Sequence, residues 1–153
     1  MVTSAFHEYV KAVRRTANSP LAALALGLAG EYFEWAESGF TDADEHGDLL
    51  WYAVAIVAHF GWEDDADMLS SMCTVSTYYD TNFIGTHVGK VCELVKKHIA
   101  HGQNIQEDQT RTKAMRKSLA LLVRQLWQTD IVNANVNKLT RRWPNGFGVS
   151  EKK

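Results

Sequence analysis

Within residues 27–52, GLAGEYFEWAESGFTDADEHGDLLWY, Glu31 and Glu34 stand three apart, and so do Glu45 and Asp48. Three-residue spacing puts side chains on one helical face, so each pair sets two like charges together at a cost of about 0.2–0.5 kcal/mol in water. The neighbours make that worse. At about 100° per residue, Leu24, Leu28 and Trp35 fall near Glu31, while Leu26 and Phe33 take the far side. The segment is therefore apolar almost all round and is expected to be buried among other helices. Counted the same way from Asp48, Tyr52, Glu45 and Ala55 share its face, with Leu50, Val54 and Val57 behind. One such pair is ordinarily a solvated face. Two pairs on consecutive apolar helices shift the reading to a cation site, because buried charges persist only when paired or metal-bound. An all-oxygen acidic set suits a hard ion, magnesium or manganese in its place.

The elements that must position these groups follow from stop and start signals. Ser4 is expected to cap a first helix to about Ala17, with Phe6, Val10 and Val13 on its inner stripe. Ser19-Pro20 reads as a capping residue followed by proline at the first helical position. The helix it opens runs to about Ser38, where Gly39 ends it. Thr41-Asp42-Ala43-Asp44 resembles a capping box, and the helix from about Asp44 to Phe60 stops at Gly61. The short loop makes the two helices an antiparallel hairpin whose connected ends carry all four carboxylates. Further helices are expected at about 65–79, 86–101, 108–128 and 130–142, and Trp143-Pro144-Asn145-Gly146 ends the last. Glu63, Asp64, Asp65 and Asp67 read as a solvated helix start rather than a second metal site. No strand pattern or nucleotide-binding glycine fingerprint occurs. The expectation is an all-α helical bundle.

The last helix could answer the acids. In DIVNANVNKLTRRWPNGF, Ile131, Asn135, Lys138 and Arg142 lie within about 60° of one another and Arg141 borders them. Lys138 and Arg142 are one turn apart, suited to gripping two oxygens of a polyphosphate. A solvated basic face offsetting the helix dipole fits the same residues. Beside a four-carboxylate site, phosphate binding becomes the economical reading. His98 and His101 share a face without an evident third ligand, and His59 reads as a core-edge residue. Trp35, Trp51, Tyr52 and Trp127 read as core, with one of them lining a nucleobase pocket as the alternative.

Composition narrows the class. The chain has 153 residues, 46% hydrophobic, with two prolines and a net charge of −2, which fits one compact domain rather than disorder. No basic excess points to nucleic acid and no long basic tract to a membrane surface. Cys73 and Cys92 have no metal-type spacing and read as free thiols of a reducing cytoplasm. The opening MVTSAFHEYVKAVRR lacks a signal-peptide core, and the apolar run Leu49 to Phe60 is too short to span a bilayer. The expected domain covers 1–148, with a mobile polar tail at 149–153.

Gly89 to Lys97 can be laid over Gly30 to Ser38, with Lys90 in the place of Glu31 and Glu93 in that of Glu34. Lys117 to Val123 can likewise be laid over Glu45 to Trp51, with Ala120 in the place of Asp48. Such an echo describes a degenerate hairpin repeat; chance similarity between amphipathic helices describes it as well.

GLAGEYFEW, EHGDLLWY and NVNKLTRRWPNGF, in that order, resemble the signatures of MazG-like nucleoside triphosphate pyrophosphohydrolases of the all-α NTP pyrophosphatase superfamily. YVKAVRRTANSPLAALALGLAGE resembles the start of the compact, often bacteriophage-encoded members. The resemblance covers about residues 9–62 and 130–148. It implies Mg²⁺-dependent attack of water on the α-phosphorus, giving a nucleoside monophosphate and pyrophosphate. By that resemblance Glu31, Glu34, Glu45 and Asp48 hold the metal and one of them orients the water. Lys138 and Arg142 match phosphate-contacting positions, with Asn135 and Arg141 beside them. It also implies a homodimer or homotetramer in the cytoplasm of a bacterial or phage-infected cell. Two departures stand out. Phe33 takes the place of a usual glycine, which would narrow the pocket, and the 63–129 stretch is longer than in compact members, so that it could wall the pocket within one chain. Rival readings are a non-catalytic nucleotide sensor or helical interaction protein on the same scaffold, and a di-iron carboxylate bundle. The last would need Glu-x-x-His, and none of the six histidines has Glu three residues before it.

Overall fold

The computed structural model describes residues 2–73, 79–102 and 104–146. The end of the expected domain, Phe147 and Gly148, and the tail at 149–153 lie outside them. The described residues form an all-α bundle: α1 (Val2–Thr16), α2 (Leu21–Glu37), α3 (Ala43–Phe60), α4 (Ala66–Met72), α5 (Thr81–Ala100), a 3-10 turn at Ile105–Glu107, α6 (Gln109–Leu126) and α7 (Thr129–Arg142). None of these helices is long and apolar enough to cross a membrane.

The hairpin turn between α2 and α3 is built from side chains as much as from glycine. Gly39 has φ +71°, and Phe40 follows with φ +62°, a left-handed backbone that costs a bulky L-residue about 1–2 kcal/mol. The Phe40 ring offsets this by packing edge-on against Trp35, with centroids 5.0 Å apart. Ser38 Oγ accepts from Thr41 N at 3.2 Å and Asp42 N at 3.1 Å while donating to Trp35 O at 2.6 Å. Asp42 then caps α3, accepting from Asp44 N and Glu45 N. The turn is short because its orphan groups are met locally, and so the carboxylate-bearing ends of both helices are held together.

Helix α3 is the centre of the molecule. Leu49, Leu50 and the whole run Ala53–Val57 are buried, against α2, α6, α7 and α1. Each fully buried aliphatic side chain contributes about 1.5–3 kcal/mol. Helix α1 lays Phe6, Tyr9, Val10 and Val13 onto this core, a spacing of one helical stripe. The pair α5–α6 closes the bundle: α5 packs on α2 and α6 on α3. Tyr32 donates to Thr81 O at 3.0 Å near one end of the α2–α5 contact, and Cys92 Sγ reaches Ala25 O near the other. Those two helices therefore run antiparallel.

Helix boundaries depart from the sequence reading at the N-terminal ends. Helix α1 already runs at Val2, so Ser4 lies within it. Pro20 is itself the N-cap of α2, in extended conformation, and no side chain caps that end. Asp80 caps a longer α5 that starts at Thr81, not 86. The fourth helix is the short Ala66–Met72, capped by Asp65, and the 74–78 part of the expected 65–79 helix lies outside the described residues. Asp64, Glu63 and Asp65 pair with His7, Arg14 and Arg116 respectively, which joins α1 and α6 to that helix start. His98 is structural, accepting from Ile105 N at 3.0 Å.

Helix α2 is not buried all round. Leu26 is 75% and Phe33 63% exposed, and Leu26 borders a groove between α2 and α5. Phe33 lies edge-on to Tyr32 and is not among the residues that line the cleft described below.

On its inner side α2 approaches α3 closely at Gly27, where a Cβ would penetrate the Tyr52 ring. Gly27→Ala is expected to push that ring aside and lower stability by about 1–3 kcal/mol. Urea unfolding measures this, and an unchanged midpoint would show that the ring moves freely.

Candidate metal and phosphate site

The two carboxylate pairs converge. Oxygens of Glu31, Glu34 and Glu45 lie within 4.8 Å of one another, and so do those of Asp44, Glu45 and Asp48. Glu45 belongs to both groups, so the five acids form one continuous patch across the α2–α3 hairpin. Asp44 is the member that the sequence reading assigned only to a helix start.

Like charges this close disturb one another's protonation. Burial, and then the charges of Asp48, Glu45 and Glu34, push the Glu31 carboxyl up to about 8. A hydrogen bond to the Glu34 carboxyl, then burial and neighbouring charges, pushes Glu45 up to about 7. Glu31 Oε1 is buried and meets no donor. A proton shared with Glu45 or a cation would satisfy it. An oxygen-only donor set with a buried orphan oxygen fits a hard divalent ion, with Glu31, Glu34, Glu45 and Asp48 as the holding residues and Asp44 beside them.

Raised carboxyl values fix the sign of a pH effect. Between the unfolded value near 4.5 and about 7–8, the folded protein holds protons that the unfolded chain has released. The contribution of these two carboxyls to the stability of the metal-free protein is therefore fully present below about 4.5 and is lost as pH rises toward 8, against the opposite contribution of His46, His59 and His87, whose values are lowered by burial. Melting curves in metal-free buffer at pH 5, 6, 7 and 8 are expected to show falling midpoints, with magnesium restoring the loss at pH 8. Midpoints that rise over that range would contradict the arrangement.

Helix α7 faces the acids. Lys138 Nζ donates to Asp48 Oδ1 at 2.6 Å and to Asp44 Oδ1 at 2.9 Å. Burial alone would lower this ammonium, but the hydrogen bonds to Asp48 and Asp44 prevail and hold it above the ordinary lysine value. Asp48 is pushed up by burial, against the opposing pull of Lys138. Asn135 is buried between them: its Nδ2 donates to Asp48 Oδ1 at 3.4 Å, and its Oδ1 accepts from the Tyr9 hydroxyl at 2.8 Å. Gly47 makes room for that amide, since a Cβ there would stand 3.3 Å from Asn135 Nδ2. Tyr9 is fully buried and fixes the amide so that its NH₂ end turns toward Asp48.

Between the acids and α7 lies a cleft of about 290 Å³. Glu31, Asp48, Lys138 and Arg142 supply its charge, and Trp51, Tyr52 and Trp143 its aromatic walls. Trp51 Nε1 donates to Thr16 Oγ1 at 3.0 Å, which ties the indole to the end of α1. The Arg142 guanidinium lies over the Trp143 ring at 5.0 Å. Arg141 is exposed and outside the cleft lining. Trp35 is core, and Trp127 packs on Phe6 and Tyr9. None of the lining residues comes from 63–129: the cleft is walled by α1, α2, α3 and α7, and the α5–α6 pair supports it from behind. No known family model, curated protein or solved structure matches the chain.

Chemically, the arrangement places a metal-competent acidic patch next to two cations and three aromatic faces in one cleft. Spacing alone located the acids and the cations. Asp44 stands four residues before Asp48 on the same helix but reads in sequence as a capping residue, whereas Tyr9 and Thr16 carried no such signal, because their roles depend on how α1 is placed.

Proposed function

We propose that the protein is a magnesium-dependent nucleoside triphosphate pyrophosphohydrolase of the MazG-like kind, converting an NTP or dNTP to its monophosphate and pyrophosphate. The observation that carries this reading is the single cleft in which Glu31 and Asp48 face Lys138 and Arg142. A bound magnesium ion would neutralise phosphate charge and lower the pKa of an attacking water. The residues supply the rest. Lys138 and Arg142 grip the β- and γ-phosphates and steady the leaving pyrophosphate. One of the clustered carboxylates would orient the attacking water and take the proton released at the α-phosphorus. Trp51 and Trp143 give flat faces on which a base can stack. Self-association as a homodimer or homotetramer belongs to the same reading, and the exposed Leu26 and Phe33 supply an apolar face for it.

The test is direct. Incubation with Mg²⁺ and each NTP and dNTP is expected to yield monophosphate and pyrophosphate, with Asp48→Asn lowering turnover about a hundredfold or more. Orthophosphate release, or turnover that Asp48→Asn leaves intact, would overturn it.

One observation favours a second reading, a nucleotide sensor without turnover. Lys138 already satisfies the Asp44 and Asp48 oxygens that a catalytic ion would take. Saturable nucleotide binding with no hydrolysis under the same conditions would select it.

A further inference from the structure

A second groove lies on the other hairpin, between α5 and α6. Its volume is about 790 Å³, and His87, Lys90, Glu93, Leu94, Lys117 and Ser118 are among the residues lining it. Two of them are polar groups removed from solvent: His87 is 8% and Ser118 5% exposed. His87 Nδ1 and Ser118 Oγ lie 3.1 Å apart. With the serine hydroxyl donating to Nδ1, a neutral imidazole carries its proton on Nε2, which has no hydrogen-bond partner among the described residues. Burial, and then Lys90 and Lys117, hold His87 below the ordinary histidine value, so both ammonium groups act on the ring. Neither lysine has a carboxylate partner among the described residues. Glu93, also on the lining, is paired with Lys96 at 3.0 Å and Lys97 at 3.8 Å.

The position of these groups is as telling as their chemistry. Lys90 corresponds to Glu31 in the hairpin echo, and Lys117 to Glu45. The same two places, one on the first helix and one on the second helix of each hairpin, are acidic in α2–α3 and basic in α5–α6.

We infer that the α5–α6 groove is a binding site for an oxyanion carried on a small apolar or aromatic body, separate from the acidic cleft. Lys90 and Lys117 supply charge, the His87 ring N–H and the Ser118 hydroxyl give directional contacts, and Leu94, Leu121 and Ala114 receive the organic part. Phosphate and carboxylate both answer this description, and the probes separate them.

The experiment follows the ring protons of the histidines by NMR in metal-free buffer while phenyl phosphate or benzoate is added. His87 signals are expected to shift saturably with at least one probe, and the stronger of the two identifies the oxyanion. The double variant Lys90→Gln/Lys117→Gln should weaken that binding about tenfold or more, whereas Lys90→Arg/Lys117→Arg should retain it and Glu31→Gln should leave it unchanged. All three substituted side chains, Lys90, Lys117 and Glu31, are at least partly solvent-exposed, and matching spectra elsewhere confirm the fold of each variant. No saturable shift at millimolar probe, or a shift that survives in the Gln/Gln variant, overturns the inference.

Discussion

Glu31→Gln is expected to raise the melting temperature of the metal-free protein at pH 8 while abolishing magnesium-dependent turnover. The half-buried carboxylate has an oxygen with no donor, and its neighbours Asp48, Glu45 and Glu34 all repel it. The amide has nearly the same shape and no charge, so that repulsion disappears. Solvent reaches part of this group, so the gain is discounted to about 1–2 kcal/mol, a few degrees of melting temperature. At pH 5 the wild-type carboxyl is protonated and the gain should vanish. Turnover should fall about a hundredfold or more because the amide cannot hold the ion as a carboxylate does. A variant less stable than wild type at pH 8 would show that Glu31 has a structural partner instead.

The second large effect is at Lys138, and it separates metal from substrate. Lys138→Gln removes the cation held between Asp44 and Asp48, whose side chains are 63% and 24% exposed. Asp48 is the one left poorly hydrated, and the expected loss of metal-free stability is about 1–3 kcal/mol. Magnesium affinity should move the other way, tightening up to about tenfold, because a competing charge has left the carboxylates. Nucleotide KM should rise, since a phosphate grip is lost. Isothermal titration with magnesium alone, followed by initial rates against NTP, reads both. Weaker magnesium binding in the variant would mean that Lys138 organises the acids rather than competing for them.

Much of this site could be read from spacing because its parts lie within single helices. Glu31/Glu34, Glu45/Asp48 and Lys138/Arg142 are each separated by three or four residues, and a helix turns that into a shared face. What could not be read depends on contacts between elements. Asp44 stands four residues before Asp48 on α3 and so shares its face, but beside Asp42 in the first turn it reads as part of the helix cap. Thr16 lines the cleft and Tyr9 reaches Asn135 because α1 packs on α3 and α7. The exposed side of α2 was misread for the same reason: periodicity records where apolar residues are, not whether another helix arrives to cover Leu26 and Phe33. The start of α5 was hidden by Gly85, which reads as a helix breaker. In the folded chain that glycine leaves room for the Tyr32 hydroxyl, which a Cβ would meet. Its helical cost of about 1 kcal/mol is offset by a close approach between helices.

The four-helix core has a further consequence. Were it assembled from two copies of one hairpin, any substitution on one face would appear on the opposite face too, and an acidic patch could not face the solvent without its duplicate. Joining α2–α3 and α5–α6 in a single polypeptide removes that constraint. The acidic patch on α2–α3 and the groove carrying Lys90 and Lys117 on α5–α6 are then free to differ, so one scaffold can present two surfaces of opposite sign, each adjustable without altering the other.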